Sequence, residues 1–74
     1  MKQGRMGYNR ENNRYGLLIC DLWENDGFHC GKTMEVLIDE EWKPTRIEMS
    51  IDREWYLVDT PFVGEDLEGL IIRV

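Results

Sequence analysis

Cysteine, histidine and helix-length apolar periodicity are all scarce in this chain. Two cysteines, Cys20 and Cys30, allow one disulfide at most, and no Cys-x-x-Cys knuckle is present. Structural zinc draws paired ligands from such knuckles. With a single histidine, a site built from Cys20, His29 and Cys30 would need Asp21 or Asp26 to complete it, so neither a metal nor a cofactor is expected. The longest apolar runs, Leu17–Cys20 and Leu70–Ile72, fall far below the ~20 residues that cross a bilayer. Met1 to Arg5 lack the apolar stretch of a secretory signal, so the expected location is the cytoplasm, with both thiols reduced. No window of helical length has apolar residues at three-to-four spacing without an interrupting Gly or Pro. One turn near Gly64–Glu68 is the best helical candidate.

What is present fits one small soluble domain spanning residues 1–74, with 42% hydrophobic and 32% charged residues. A chain this short buries only about 60% of the surface its unfolded form exposes, so its core must be thin. The net charge of −6 is unevenly placed. Residues 1–14 carry Lys2, Arg5, Arg10 and Arg14 against Glu11, whereas the remainder holds five bases and fourteen acids. Such a body repels phosphate backbones at long range, which disfavours nucleic acid as a general partner.

Strand signals dominate. Residues 14–20, 33–38, 55–58 and 70–74 are short and rich in β-branched or aromatic side chains, and 42–51 alternates. Turn formers separate them: Asn12-Asn13, Asn25-Asp26-Gly27, Asp39-Glu40-Glu41, Asp52-Arg53-Glu54 and Thr60-Pro61. Met6 and Tyr8 before the first turn, with Tyr15, Leu17 and Ile19 after it, predict a hairpin. Period-two alternation predicts a core of Leu17, Ile19, Met34, Val36, Ile47, Met49, Tyr56, Val58, Leu70 and Ile72. The expected fold is all-β: a small, partly open antiparallel barrel of five to six strands, SH3-like in general plan. Curling also removes the exposed edges of a flat sheet.

Several segments occur here in one order: Tyr15-Gly16-Leu17-Leu18, Gly27-Phe28-His29-Cys30-Gly31, Met34-Glu35-Val36-Leu37, Thr45-Arg46-Ile47-Glu48, Trp55-Tyr56-Leu57-Val58 and Leu67-Glu68-Gly69-Leu70. Together they resemble a family of small bacterial proteins known as a domain of unknown function. The resemblance covers nearly the whole chain and implies a bacterial cytoplasmic protein, of a kind compatible with carriage on mobile elements. It supplies no catalytic residues.

Catalytic patterns are weak. Neighbours in extended chain point to opposite faces, so His29 and Cys30 meet as base and nucleophile only if Gly27 and Gly31 bend the loop sharply. We expect Cys30 to be a buried small side chain beside a His bonded to turn backbone. A domain of this size leaves little space for a pocket of several hundred Å³ beside its core. The carboxylate runs 39–41 and 65–68 read as solvated turns. The expected protein is not an enzyme.

The aromatic load carries more information. Trp23, Phe28, Trp42, Trp55 and Tyr56 exceed what a core this thin encloses. Exposed Trp and Tyr beside Arg form the composition of a binding hot spot. The expected function is therefore a non-enzymatic interaction module that binds a protein or peptide through Trp23, Phe28, Trp42, Arg46 and Trp55. The alternative is an acidic mimic of nucleic acid that inhibits a DNA-binding protein. A weaker third reading is nucleic-acid binding through the basic N-terminal strip. Outward Leu37 and Ile71 would favour a homodimer if a second copy covered them.

Overall fold

Two tight turns with both central residues at positive φ organise the hairpins. The computed structural model describes all 74 residues. Its strands are β1 (Gln3–Asn9), β2 (Arg14–Ile19), β3 (Leu22–Asn25), β4 (Thr33–Ile38), β5 (Glu41–Met49), β6 (Trp55–Leu57) and β7 (Ile71–Arg73). A 3₁₀ turn, Gly64–Leu67, precedes β7, where the sequence predicts one helical turn. Cys20 (φ 52°) and Asp21 (φ 62°) join β2 to β3, and Asp39 (φ 50°) and Glu40 (φ 67°) join β4 to β5. Paired positive φ is the type I′ geometry, whose twist matches that of the flanking strands. The predicted first hairpin forms as expected, with Met6 opposite Leu17, Tyr8 opposite Tyr15 and Asn13 at φ 57°.

All strand pairs are antiparallel, in the order β3-β2-β1-β7-β4-β5-β6. The all-β expectation holds, but the count of five to six strands is corrected to seven, and the sheet is not closed as a barrel. β3 and β6 are its two edges, and no ladder joins them. The sheet nevertheless bends far enough to enclose a core. β5 pairs with β4 through Glu41–Arg46 and then with β6 through Ile47–Met49, so one strand serves both halves.

Close backbone approach helps the bend. Gly7 lies opposite Gly16 on the outer face, and the Trp23 ring rests over both. A Cβ at Gly16 would lie 2.2 Å from the Asn25 carbonyl oxygen and 3.1 Å from Trp23. No side chain fits there, because the nearest atom is rigid backbone.

The core comprises Met6, Tyr15, Leu17, Phe28, Met34, Val36, Ile47, Trp55, Leu57, Leu67 and Ile72. Five of the ten predicted core residues are fully buried: Leu17, Met34, Val36, Ile47 and Ile72. Ile19 and Leu70 pack at its margin, and Tyr56 and Val58 are half-buried. Met49, the last residue of β5, is corrected to exposed at 37%. The phase of the sixth strand is also corrected. Ile47 pairs with Leu57 and Met49 with Trp55, so Trp55 and Leu57 face inward and Tyr56 lies opposite Glu48 on the outer face.

Gly16→Ala should lower stability by about 3 kcal/mol, the upper range for overpacking a tight site. Gly31→Ala, at φ 90° with nothing within 4 Å of the added Cβ, should cost only about 1 kcal/mol. Denaturant midpoints of both variants check this contrast; equal losses would contradict the close approach of β2 and the β3 end.

Candidate functional site

The five residues expected to carry binding do not form one surface. Phe28 is 1% exposed and belongs to the core, which corrects its assignment as a contact residue. Its amide donates to the Tyr15 carbonyl at 2.8 Å, so the loop after β3 drops it under the sheet. Trp23 lies on the outer face at the β3 edge, 41% exposed. Trp42 lies on the outer face of β5, half-buried beneath the Arg73 guanidinium, which stands 4.1 Å from the ring centroid. Arg73 Nε in turn donates to Glu35 at 2.6 Å. Arg46 is exposed and paired with Glu48 at 2.9 Å.

Trp42 borders a smaller hollow with Pro44 and Pro61, and Trp55 reaches the largest concave surface. It is 8% exposed, which corrects the expectation of an outward ring, yet one edge of it lines the largest groove. This groove has a volume of about 770 Å³ and is open to solvent. Its size corrects the expectation that so short a chain leaves little space for one. The hollow lies between two parts of a bent sheet and takes no volume from the core.

One wall is the β1–β2 hairpin, which contributes Tyr8, Arg10, Asn13 and Tyr15. The opposite wall comes from the end of β5 and the start of β6, with Met49, Arg53, Glu54 and Trp55. Val63 to Asp66, entering the 3₁₀ turn, form the rim. Two side-chain hydrogen bonds tie these parts together. The Trp55 indole N–H donates to the Asn13 carbonyl at 2.9 Å, and the Tyr15 hydroxyl donates to the Gly64 carbonyl at 3.0 Å. Tyr8 and Tyr15 pack with ring centroids 5.0 Å apart and planes tilted by 59°. The Tyr8 hydroxyl donates to Asn13 Oδ1 at 2.9 Å. Further back, Asn9 and Asn12 side chains both donate to the Asp26 carbonyl, which fixes the hairpin tip against the β3–β4 loop. The walls are therefore held before any ligand arrives, which lowers the ordering cost of binding.

Burial pushes the Tyr15 hydroxyl above its ordinary pKa, and the neighbouring Glu68 charge adds to the shift. No comparable pairing occurs at the other candidate positions. His29 and Cys30 are both exposed, which corrects the expectation of a buried thiol. They sit in a tight turn in which Lys32 N–H donates to the His29 carbonyl at 3.1 Å. Cys20 is exposed in the β2–β3 turn. No group of three His, Cys, Asp or Glu side chains is arranged to hold a metal ion. No helix is long and apolar enough to cross a membrane.

With this geometry in place, comparison with known proteins is informative about kinship. The family model described as Domain of unknown function (DUF5348) matches residues 4–74. The chain belongs to this family. A solved crystal structure of a protein from Ruminococcus gnavus, a structural genomics target, is 34% identical to this DUF5348 member. The match covers 99% of this chain and 100% of that one, with a TM-score of 0.82, so the two share a fold. No curated protein matches the chain.

Tyr8, Tyr15 and Met49 are groove residues that the sequence placed in strands, and Val63 is one it did not mark. The signal available was the pair Tyr8 and Tyr15 on one hairpin face, one step beyond the Met6–Leu17 pair that the core claims.

The raised Tyr15 pKa has a stability consequence. The folded value lies above the unfolded value of about 10, so the folded state holds this proton more tightly and stability falls as pH rises through that range. Denaturant midpoints at pH 9 and pH 11 should show a loss in the wild type. Tyr15→Phe should remove that part of the loss, while costing about 1 kcal/mol at pH 7 for the missing hydrogen bond. An identical high-pH loss in the variant would contradict the assignment.

Proposed function

We propose that this DUF5348 protein is a non-enzymatic cytoplasmic interaction module that takes a segment of a partner protein into the groove between the β1–β2 hairpin and β6. The single observation that carries the reading is a preformed aromatic groove in a chain otherwise occupied by its own core. Tyr8, Trp55 and Met49 offer apolar contact at three points of the groove, and backbone and polar groups line the rest. Five of the twelve lining residues are hydrophobic, and tyrosine and tryptophan dominate contact energies where they are held rigid. SH3 domains dock extended peptide segments in aromatic-lined grooves, a precedent for an aromatic groove taking a segment of a partner. Trp23, Trp42 and Arg46 lie on the outer face and would at most extend the contact.

The experiment is affinity purification from the source cells with three baits: wild type, Tyr8→Ala and Trp42→Ala, each checked for folding by circular dichroism. A partner retained by Trp42→Ala and reduced at least about tenfold by Tyr8→Ala, the size of a contact hot spot, supports the groove. The reverse pattern moves the contact to the outer face. Retention at ~0.5 M salt fits an apolar groove, whereas loss there favours the acidic mimic of nucleic acid.

A further inference from the structure

The basic residues are distributed in a way that specifies what the groove receives. Nine Lys and Arg side chains are present, and four are engaged in ion pairs: Lys2 with Glu24, Arg5 with Asp21, Arg46 with Glu48, and Arg73 with Glu35. Of the remaining five, Lys32 and Lys43 lie away from the groove. The other three are arginines, two in the groove wall and one beside it. Arg10 and Arg53 line it, and Arg14 stands 5.6 Å from the Trp55 ring centroid while donating to the Phe28 carbonyl at 3.0 Å. The guanidinium groups of Arg10 and Arg53 have no hydrogen-bond or ion-pair partner within the protein.

The carboxylates of this region are placed differently. Asp66 Oδ2 accepts from the Val63 N–H at 3.3 Å, and Glu68 Oε2 accepts from the Tyr8 N–H at 2.8 Å. Both serve the backbone. Glu54 lies against Gly64, where a Cβ would be 3.1 Å from its Oε2, and Glu65 stands on the 3₁₀ turn. Glu54, Glu65 and Asp66 line the groove at and beside the turn, while Arg10 on the hairpin wall and Arg53 on the opposite wall carry its positive charge. The free donors are thus arginine forks, and a planar fork matches a carboxylate with two parallel hydrogen bonds.

We propose that the groove recognises a peptide segment in which an aromatic or aliphatic residue seats on Tyr8, Met49 and Trp55, and an adjacent Asp or Glu carboxylate is held by Arg10 and Arg53. The inference rests on the groove being the binding site. It also sets a limit on the ligand. The chain carries −6 overall, and Glu54, Glu65 and Asp66 line the site, so a run of acidic residues is repelled while a single carboxylate reaches the two arginines.

The test is NMR titration of isotope-labelled protein with three blocked peptides: acetyl-Gly-Phe-Glu-Gly-amide and its analogues with Gln or Lys in place of Glu. The expected result is movement of the Trp55 indole, Tyr8 and Gly64 signals, with the Glu peptide binding about tenfold more tightly than either analogue, within the range for a charge-assisted pair. In the double variant Arg10→Gln/Arg53→Gln the preference should fall to about one, with the groove signals still moving. Equal or tighter binding of the Gln or Lys peptide overturns the carboxylate assignment and leaves the groove standing. Absence of groove movement with all three peptides overturns the groove reading, and the carboxylate assignment falls with it.

Discussion

Two hydrogen bonds across the open side of the sheet hold this molecule in its working shape. A single antiparallel sheet has one face to bury, and with no helix to cover it the sheet must bend over its own side chains. Bending brings the first hairpin towards β6, whose residues lie about half the chain away. There the Trp55 indole reaches the Asn13 carbonyl and the Tyr15 hydroxyl reaches the Gly64 carbonyl. Each bond satisfies a polar atom of a large aromatic side chain that is otherwise buried, so removing one partner strands a donor in apolar surroundings. The same two bonds that close the core set the separation of the groove walls. Stability and the candidate binding surface therefore depend on one set of contacts.

The outer face shows how an aromatic-rich chain this short stays compact. Trp23 covers the Gly7–Gly16 pair, where strands pass too close for a β-carbon. Trp42 lies under Arg73, and Arg73 is fixed by Glu35, so a stacked cation links β7 to β4 and β5. Cation–π contacts of this kind are worth about 0.5–1 kcal/mol at exposed sites. That is useful in a domain with eleven core residues. The surplus of rings noted in the sequence is thus divided among core, sheet reinforcement and groove, and only part of it is free for contact.

Alternation made β2, β4 and β7 legible, because each has one polar face that fixes its phase. The first hairpin was legible for the same reason. β3 was not, since Leu22 to Asn25 are nearly all exposed on an edge and show no buried face to detect. Its turn was hidden too: Cys20-Asp21 adopts a conformation that normally advertises itself through Asn or Gly. In β6 the run Trp55-Tyr56-Leu57-Val58 is apolar on both faces, so alternation offered two phases, and the pairing of Ile47 with Leu57 chose between them. That choice moved Trp55 inward and brought its edge to the groove. Nothing local in the sequence relates Tyr8 to Met49 or Gly64, because their meeting follows from the bend of the whole sheet.

Hydrogen exchange of the tryptophan indole protons, resolved by NMR, tests the closing contact most directly. The Trp55 indole proton should exchange as slowly as the amide of buried Ile47, which donates to the Lys32 carbonyl, through global unfolding alone, while the Trp23 indole exchanges orders of magnitude faster. Exchange of Trp55 at the rate of Trp23 would show that the two halves of the sheet part freely, and would contradict both the closure and the preformed groove.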